Sequence, residues 1–317
     1  IVTGGIKTAL GGGGYGSLVL LINDNSGLYE GSIISCVAIA IIPLIVWLAQ
    51  HGTIFKPDWK VKTYATALTF AALLIPVGTQ ARTGLVCIAV LALLFIRQTK
   101  RRFLYLTGAA VIGLAAIPFL PSAFSQRMET IQDYKADESA ATRVAVWKWT
   151  WEFVKEHPFG GGFDAYRINK IRYDLPVVDE NGFDTGAVDR REIVDQGRAY
   201  HSSFFEMLGE QGFPGLIIWL LIHVGGVWRM EMVARMYKKR NRPDESWVAP
   251  LATALQNAQI IYLVGSLFVG IAFQPFVYML VAMQLGLDTY LARRRNEAAL
   301  TPIPNQRVKA QEIGQAS

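Results

Sequence analysis

The chain has 317 residues, of which 52% are hydrophobic and 18% charged, and its formal net charge is +6. This composition excludes an intrinsically disordered chain and is typical of an integral membrane protein. Because acidic residues outnumber basic ones between positions 127 and 198, the excess positive charge belongs to the other parts of the chain. We interpret it as the charge of cytoplasmic loops and expect no nucleic-acid binding.

Apolar segments of spanning or near-spanning length predict about seven transmembrane helices. They lie near 33–50, 64–77, 83–96, 103–121, 214–228, 255–274 and 276–291. Lys and Arg concentrate in the connections after the first, third, fifth and seventh segments, which the positive-inside rule places in the cytoplasm. We therefore expect an all-α fold, a polytopic membrane helix bundle with one large periplasmic loop.

The predicted domain organisation follows from these segments. It has a glycine-rich or re-entrant outside segment at 1–30, four transmembrane helices at 31–121, the periplasmic loop at 122–202, a short helix with three transmembrane helices at 203–292, and a cytoplasmic tail at 293–317. The chain begins at Ile1 without a methionine or a charged leader. We therefore expect it to be the later part of a longer protein with further spans upstream.

The turn between the second and third predicted helices contains an arginine, Arg82. Both apolar segments have about 14 residues, roughly 21 Å as helix, against a hydrocarbon core of about 30 Å. Unless the membrane thins or the helices extend through it, the turn should therefore lie below the headgroups, where a guanidinium is costly unless it meets water or an anion. Arg82 is a site candidate, although an arginine that snorkels to the outer headgroups would fit the same pattern.

Within the predicted periplasmic loop, residues 140–157 have helix composition and include three tryptophans at alternating positions. Tryptophan favours the membrane interface, so we expect this amphipathic helix to lie along the outer surface. Arg143 is one turn before Trp147 and should project from nearly the same face, towards the membrane or whatever covers it, although an arginine that snorkels among the headgroups would fit the same pattern. Residues 167–198 contain several turn-forming residues and predict an irregular loop.

The segment RAYHSSFFEMLGEQGFPG, residues 198–215, leads from the loop back into the membrane. Ser203 and Glu206 have capping-box spacing, which predicts a short helix just after His201 with its free N–H groups near that side chain. Such a helix start favours anions. The glycines and the proline at 212–215 should break the helix. The alternative is a histidine that merely lies at the membrane interface.

Two further patterns concern metal binding and the last two predicted spans. The carboxylates between 174 and 189 fit no EF-hand loop, and His157 and His201 lack a third ligand at helical or hairpin spacing, so no metal site is expected. Polar residues of the last two spans should bond between helices or face a cavity. They are Gln256, Gln259, Gln274, Gln284 and Asp288.

Four stretches together resemble the O-antigen ligase and polymerase superfamily of bacterial envelope glycan enzymes, particularly the O-glycosylation ligases associated with exosortase A. HSSFFEMLGEQGFPG, from His201, is similar to the family's histidine-led signature at the end of its large periplasmic loop. ARTGLV, from Ala81, resembles its arginine turn between two spans. SAATRVAVWKWTWEFVKEHPFGGGF, from Ser139, resembles its loop helix, and NDNSGLYEGSIISCVAIAIIPL, from Asn23, resembles the polar run that opens a span.

The resemblance implies transfer of a glycan from an undecaprenyl-diphosphate carrier to an acceptor hydroxyl on the periplasmic face of the bacterial inner membrane, without a metal or another cofactor. Arg82 and Arg143 match the family's two functional arginines, and His201 matches its essential histidine. Capping and membrane-edge polarity are enough to explain the carboxylates of Glu206 and Glu210. The secondary candidates for substrate binding are Trp147, Glu206 and Glu210.

The implied partners are the lipid-linked glycan donor, an acceptor that is a lipid, a glycan or a protein, and the membrane lipids. A polysaccharide polymerase of the same superfamily fits these motifs equally well. A membrane transporter or flippase is the alternative from another class, although the two halves of the chain show no repeated span pattern. The sequence does not fix the oligomeric state.

Overall fold

The computed structural model describes residues 30–79, 81–97, 138–175, 191–240 and 242–300, together with Val2, Gly5, Ile6 and Thr107. Most of these residues are helical. The predictions for most of 1–29, for the fourth span at 103–121, for the acidic stretch from 176 to 190 and for the tail after 300 lie outside the described residues.

The described helices and strands are α1 (Gly31–Ala40), α2 (Ile42–His51), α3 (Trp59–Gly78), α4 (Arg82–Arg97), α5 (Glu138–Glu156), β1 (Lys170–Leu175), β2 (Arg191–Gln196), α6 (Ser203–Arg240), α7 (Val248–Gly265) and α8 (Pro275–Leu300). Within the described ranges, three helical stretches are long and apolar enough to cross a membrane. They are Gly31–His51, which combines α1 and α2, then α3 and α6. The expectation of a mostly helical membrane protein is confirmed at this level, while the seven spans and the periplasmic location of the loop stay predictions.

The helix α3 is longer than the predicted span at 64–77, because it begins at Trp59 and has 20 residues. Its start is capped by Asp58, whose side chain accepts a hydrogen bond of 2.7 Å from the backbone N–H of Val61. At about 1.5 Å per residue, α3 measures roughly 30 Å and can cross the hydrocarbon core. The argument from two short helices therefore holds only for α4, which has 16 residues.

The sixth predicted span, 255–274, is wrong over its second half. The helix α7 ends at Gly265, and residues 266–274 form turns and irregular backbone before α8 begins. The physical reason is that backbone groups of Val269, Ile271 and Ala272 in this stretch bond to side chains in the first turn of α6. Apolar composition does not show that a stretch forms its hydrogen bonds with a segment distant in sequence.

The prediction of an irregular loop at 167–198 is wrong for residues 170–175 and 191–196, because β1 and β2 pair there as an antiparallel hairpin. Ile171 and Tyr173 are buried against α5, whereas Lys170 and Arg172 are exposed. This alternation is the pattern of a half-buried strand, but it covers only a few residues. The hairpin leads the chain back towards α6 and so fixes the position of the segment before it.

The helix α7 lies at the centre of the bundle and packs against α1, α2, α4 and α6. Ile261 and Tyr262 are fully buried in the cluster that α7 forms with α1 and α4. Cys36 and Cys87 are free, fully buried members of the same cluster. The opposite face of α7 packs against α6 and α8. The core therefore joins α7 to all of these helices.

Polar side chains bond between helices in this core, as predicted. Gln259 Nε2 lies 2.9 Å from His223 Nδ1, and both residues are fully buried. Asp288 accepts a hydrogen bond of 2.6 Å from Arg229. These bonds join α6 to α7 and α8, where an unpaired polar group would be costly.

The outer surfaces of α3 and α6 are apolar. Only 22% of the most apolar window of each helix is buried inside the protein. Large side chains such as Phe70 on α3 and Leu221 on α6 are 61% and 68% exposed. Contiguous exposed apolar surface of this kind is suited to contact with lipid chains or other membrane helices.

The helix α6 consists of two parts joined by a kink at Gly212, where φ is 66° and ψ is −166°. The sequence predicts a break at this position, and the prediction is confirmed. Non-glycine residues adopt this backbone conformation only under strain. Pro214 follows and has no N–H group, so the carbonyl of Glu210 lacks its donor within the helix.

The loop after α5 supplies the backbone partners that the kink requires. The N–H of Gly162 donates to the carbonyl of Glu210 over 2.9 Å. In return, the N–H of Phe213 donates to the carbonyl of Pro158, also over 2.9 Å. The motifs HPFGGGF and EQGFPG are therefore one structural unit, although they lie far apart in the sequence.

Replacement of Gly212 by alanine should destabilise this unit. A Cβ at position 212 would collide with the carbonyl oxygen of Pro158, and the residue would also keep a positive φ. We expect the free energy of unfolding to fall by at least about 2 kcal/mol, measured by denaturant unfolding in detergent.

The matched control is Gly225→Ala in the same helix. Nothing lies within 4 Å of the Cβ that this change adds. Alanine has the higher helix propensity, so we expect a gain of about 0.5–1 kcal/mol. Equal effects of the two substitutions would contradict the docking of the loop on the kink.

Candidate active site

His201 lies in the short connection between β2 and α6, and its φ of 48° is in the left-handed region. Few residues other than glycine adopt this conformation, and those that do are frequent at functional sites. The surrounding structure must therefore hold the backbone on both sides of His201. Two sets of hydrogen bonds do so.

On the side before His201, the carbonyl of Tyr200 accepts a hydrogen bond of 2.8 Å from the indole N–H of Trp147. The indole ring stacks on Phe205 with centroids 4.9 Å apart and the planes 3° from parallel. Buried Asn169 adds a pair of bonds to the backbone N–H and carbonyl of Arg198, at 3.0 and 2.7 Å. Trp147 thus connects α5 to the backbone at His201.

On the side after His201, the first turn of α6 bonds to the irregular stretch 266–274. The hydroxyl of Ser203 donates to the carbonyl of Val269 over 3.0 Å and accepts from the N–H of Ile271 over 2.9 Å. Glu206 accepts from the N–H of Ala272 over 2.8 Å. The predicted capping box is therefore wrong, because both side chains bond to another segment and not to their own helix start.

Three charged residues act electrostatically on His201. Burial lowers the pKa of His201 below its ordinary value of 6.5, Glu30 opposes this effect, and the positive charges of Arg143 and Arg198 add to it. The imidazole is therefore neutral near pH 7 and able to accept a proton. The structure thus brings Arg143 and Glu30 to the histidine.

Arg82 is the first residue of α4 and is half-buried. The turn before it is attached to the start of α1, since the hydroxyl oxygens of Thr79 and Ser35 lie 2.9 Å apart. A Cβ on Gly31 would come within 2.9 Å of Thr79 Cβ. Because Glu30 directly precedes Gly31, the turn that carries Arg82 and the surroundings of His201 meet at the start of α1.

The secondary candidates have positioning contacts. Glu206 and Trp147 hold the backbone beside His201, as described above. Glu210 is 5% exposed and accepts a hydrogen bond of 3.1 Å from the backbone N–H of Asp164, so its carboxylate fastens the loop after α5. A direct contact of these three side chains with substrate stays a prediction.

Two residues near the site were not predicted from the sequence, and the first is Glu30. It lies in the polar run before α1, which hydropathy marks only as the edge of a span. Tyr200 was missed too, and burial together with the carboxylates of Glu210 and Glu206 raises the pKa of its phenol. The sequence did contain a signal for Glu30. It is an acidic residue directly before a predicted helix, and it lies on the predicted outside face, as His201 does.

Metal ligands are not gathered in the described part of the chain, where no group of three or more His, Cys, Asp or Glu residues could hold an ion. What the site does offer is cationic and imidazole chemistry. Guanidinium groups bind phosphate oxygens well, and a neutral imidazole can take up a proton.

Comparison with known families agrees with this chemistry. Residues 67–220 match the family described as O-antigen ligase. Residues 1–53 match a family of unknown function, DUF5935. The comparison with curated proteins gave no match. The resemblance to the exosortase-associated branch stays a prediction.

The O-antigen ligase match begins within α3 and ends within α6, beyond the kink. It therefore contains Arg82, Arg143 and His201, together with the loop and the hairpin that position the histidine. Through this segment, which is slightly less than half of the chain, the chain resembles the O-antigen ligase superfamily.

Proposed function

We propose that the protein transfers a glycan from an undecaprenyl-diphosphate carrier to an acceptor hydroxyl at the periplasmic face of the inner membrane. The observation that carries this proposal is His201, kept neutral beside Arg143 in a strained backbone position within the segment that matches the O-antigen ligases. A polysaccharide polymerase would use the same chemistry with a glycan as the acceptor.

In the proposed reaction, His201 accepts the proton of the acceptor hydroxyl while the hydroxyl oxygen bonds to the anomeric carbon of the donor sugar. The bond between that carbon and the phosphate oxygen breaks, and undecaprenyl diphosphate leaves with the electron pair. Arg82 and Arg143 bind the diphosphate and stabilise the negative charge that grows on it. No group changes its oxidation state in this step.

The position of the site along the bundle supports a periplasmic reaction. Arg82 begins α4 and Arg97 ends it, so the two ends of this helix are separated by roughly 24 Å. Basic residues cluster at the far end, where α6 terminates with Lys238, Lys239 and Arg240. The positive-inside rule assigns that basic end to the cytoplasm and the His201 end to the periplasm.

A transporter or flippase is the alternative from another class. Purified protein mixed with lipid-linked glycan and acceptor in detergent separates the two functions. A glycan transferase forms product there, whereas a transporter needs two compartments and forms none.

Single replacement of Arg82, Arg143 or His201 by alanine should lower the transfer rate by at least roughly 100-fold, because each change removes either the base or a cation at the diphosphate. The measurement is the initial rate of product formation by purified protein at equal concentration. Membrane insertion and elution volume in size-exclusion chromatography should stay unchanged.

The matched controls are His157→Ala and Arg167→Ala. His157 is exposed, and the side chain of Arg167 is 69% exposed in an ion pair with Asp164. A surface ion pair such as that of Arg167 contributes little, and the exposed His157 has no role in the proposed reaction. Both variants should therefore keep nearly full activity. Full activity in all three test variants would refute the assigned roles.

The transfer rate should depend on pH through His201. Because only the neutral imidazole accepts a proton, kcat/KM should rise with pH and level off above the pKa of this residue. The midpoint should lie below 6.5, since burial is the main cause that lowers the pKa. A midpoint above 6.5 in the pH profile would contradict the proposal.

Two charge variants test the same assignment with opposite signs. Glu30→Gln removes a charge that raises the pKa of His201, so the midpoint should move to lower pH. Arg198→Gln removes a charge that lowers this pKa, so the midpoint should move to higher pH. The backbone bonds of Arg198 to Asn169 survive this change because the side chain takes no part in them.

A further inference from the structure

A second site lies at the end of the bundle away from His201. There α2, α4, α6 and α7 enclose a cavity of about 710 Å³. This volume is within the range of small-molecule sites, about 300–1,000 Å³. Arg97, the last residue of α4, is part of its wall, so the cavity lies roughly 24 Å from the turn that contains Arg82. It is therefore separate from the proposed glycan transfer site.

The charge in this cavity is positive. Its lining has four basic and two acidic side chains. One of the acids, Glu231, accepts hydrogen bonds from Arg97 at 3.2 Å and from Arg235 at 2.6 Å. Gln256 donates to the same carboxylate over 2.9 Å. Glu231 thus orients both guanidinium groups and is itself neutralised, so it does not repel an anion strongly.

Two basic residues of the lining remain for an anionic ligand. Lys238 and Arg242 form no salt bridge with any residue in the described ranges. Glu245, the second acid, lies 3.9 Å from Arg240. The exposed ammonium and guanidinium groups at the end of α6 therefore provide a net positive charge that suits a phosphate group.

The remaining wall of the cavity contains apolar and aromatic side chains next to polar ones such as Gln50 and Asn257. Leu94 and Phe95 lie three and two residues before Arg97, so they line the part of the cavity that is nearer the middle of α4. Trp47, whose indole N–H donates to the carbonyl of Trp247 over 3.2 Å, forms part of the lining at the charged end. Tryptophan is enriched at the headgroup level of membranes.

We propose that this cavity binds an anionic phospholipid of the cytoplasmic leaflet. The phosphate headgroup contacts Lys238 and Arg242, together with the two arginines that Glu231 orients. An acyl chain lies along Leu94 and Phe95. Basic pockets between helices on the cytoplasmic side bind anionic headgroups in this way. A free phosphate ion would use the cations but gain nothing from the apolar wall.

The test compares lipid binding by the full chain and by the double variant Lys238→Gln/Arg242→Gln. Native mass spectrometry of protein titrated in detergent with phosphatidylglycerol or with phosphatidylcholine of the same acyl chains gives the affinity for each. We expect the protein to prefer phosphatidylglycerol and the double variant to bind it roughly 10-fold more weakly or worse.

The matched control is Lys60→Gln/Lys62→Gln, which removes two exposed charges at the start of α3, outside the cavity. It should change the affinity for phosphatidylglycerol by less than about twofold. Both double variants should elute as the unaltered protein does, because the four lysine and arginine side chains are exposed.

Three results would overturn the proposal. The first is equal binding of the two lipids, and the second is an equal loss in both double variants. The third comes from a titration with inorganic phosphate alone: binding as tight as that of phosphatidylglycerol would assign the cavity to a soluble phosphate. None of these titrations measures glycan transfer, so a negative result would not count against the proposed reaction.

Discussion

The carbonyl of Glu210 has no donor in its own helix because Pro214 has no N–H, and the N–H of Gly162 supplies the missing hydrogen bond. This bond holds the loop after α5 against the kink in α6. It therefore fixes the distance between the helix that carries Arg143 and the helix start that follows His201. The bonds of Trp147 and Ser203 then set the backbone at the histidine itself.

Periodicity and composition were enough to predict the helical membrane fold, the helix at 140–157 and the break at Gly212, because these depend on local properties of the chain. The hairpin, the early start of α3 and the irregular stretch after Gly265 were not predicted. The early start of α3 depends on the local cap by Asp58, whereas the hairpin and the stretch after Gly265 depend on partners distant in sequence, such as the first turn of α6 for residues 266–274. Local patterns do not contain that information.

The same distinction applies to the candidate site. Arg82, Arg143 and His201 were found by motif, since their neighbours in sequence are distinctive. Glu30 became visible only when α1 was placed beside the histidine, and its carboxylate opposes the effects of burial and of Arg143 on the imidazole. An imidazole that is to take up a proton next to cations that bind phosphate needs such a balance of charges.

The central claim is that Arg82 and His201 act on the same bound donor. A double-mutant cycle with Arg82→Lys and His201→Gln, measured as transfer rate by purified protein, tests it most directly. If both residues serve one reaction centre, the double variant will lose little more activity than the slower single variant. If the two losses multiply, the residues act independently and the shared centre does not exist.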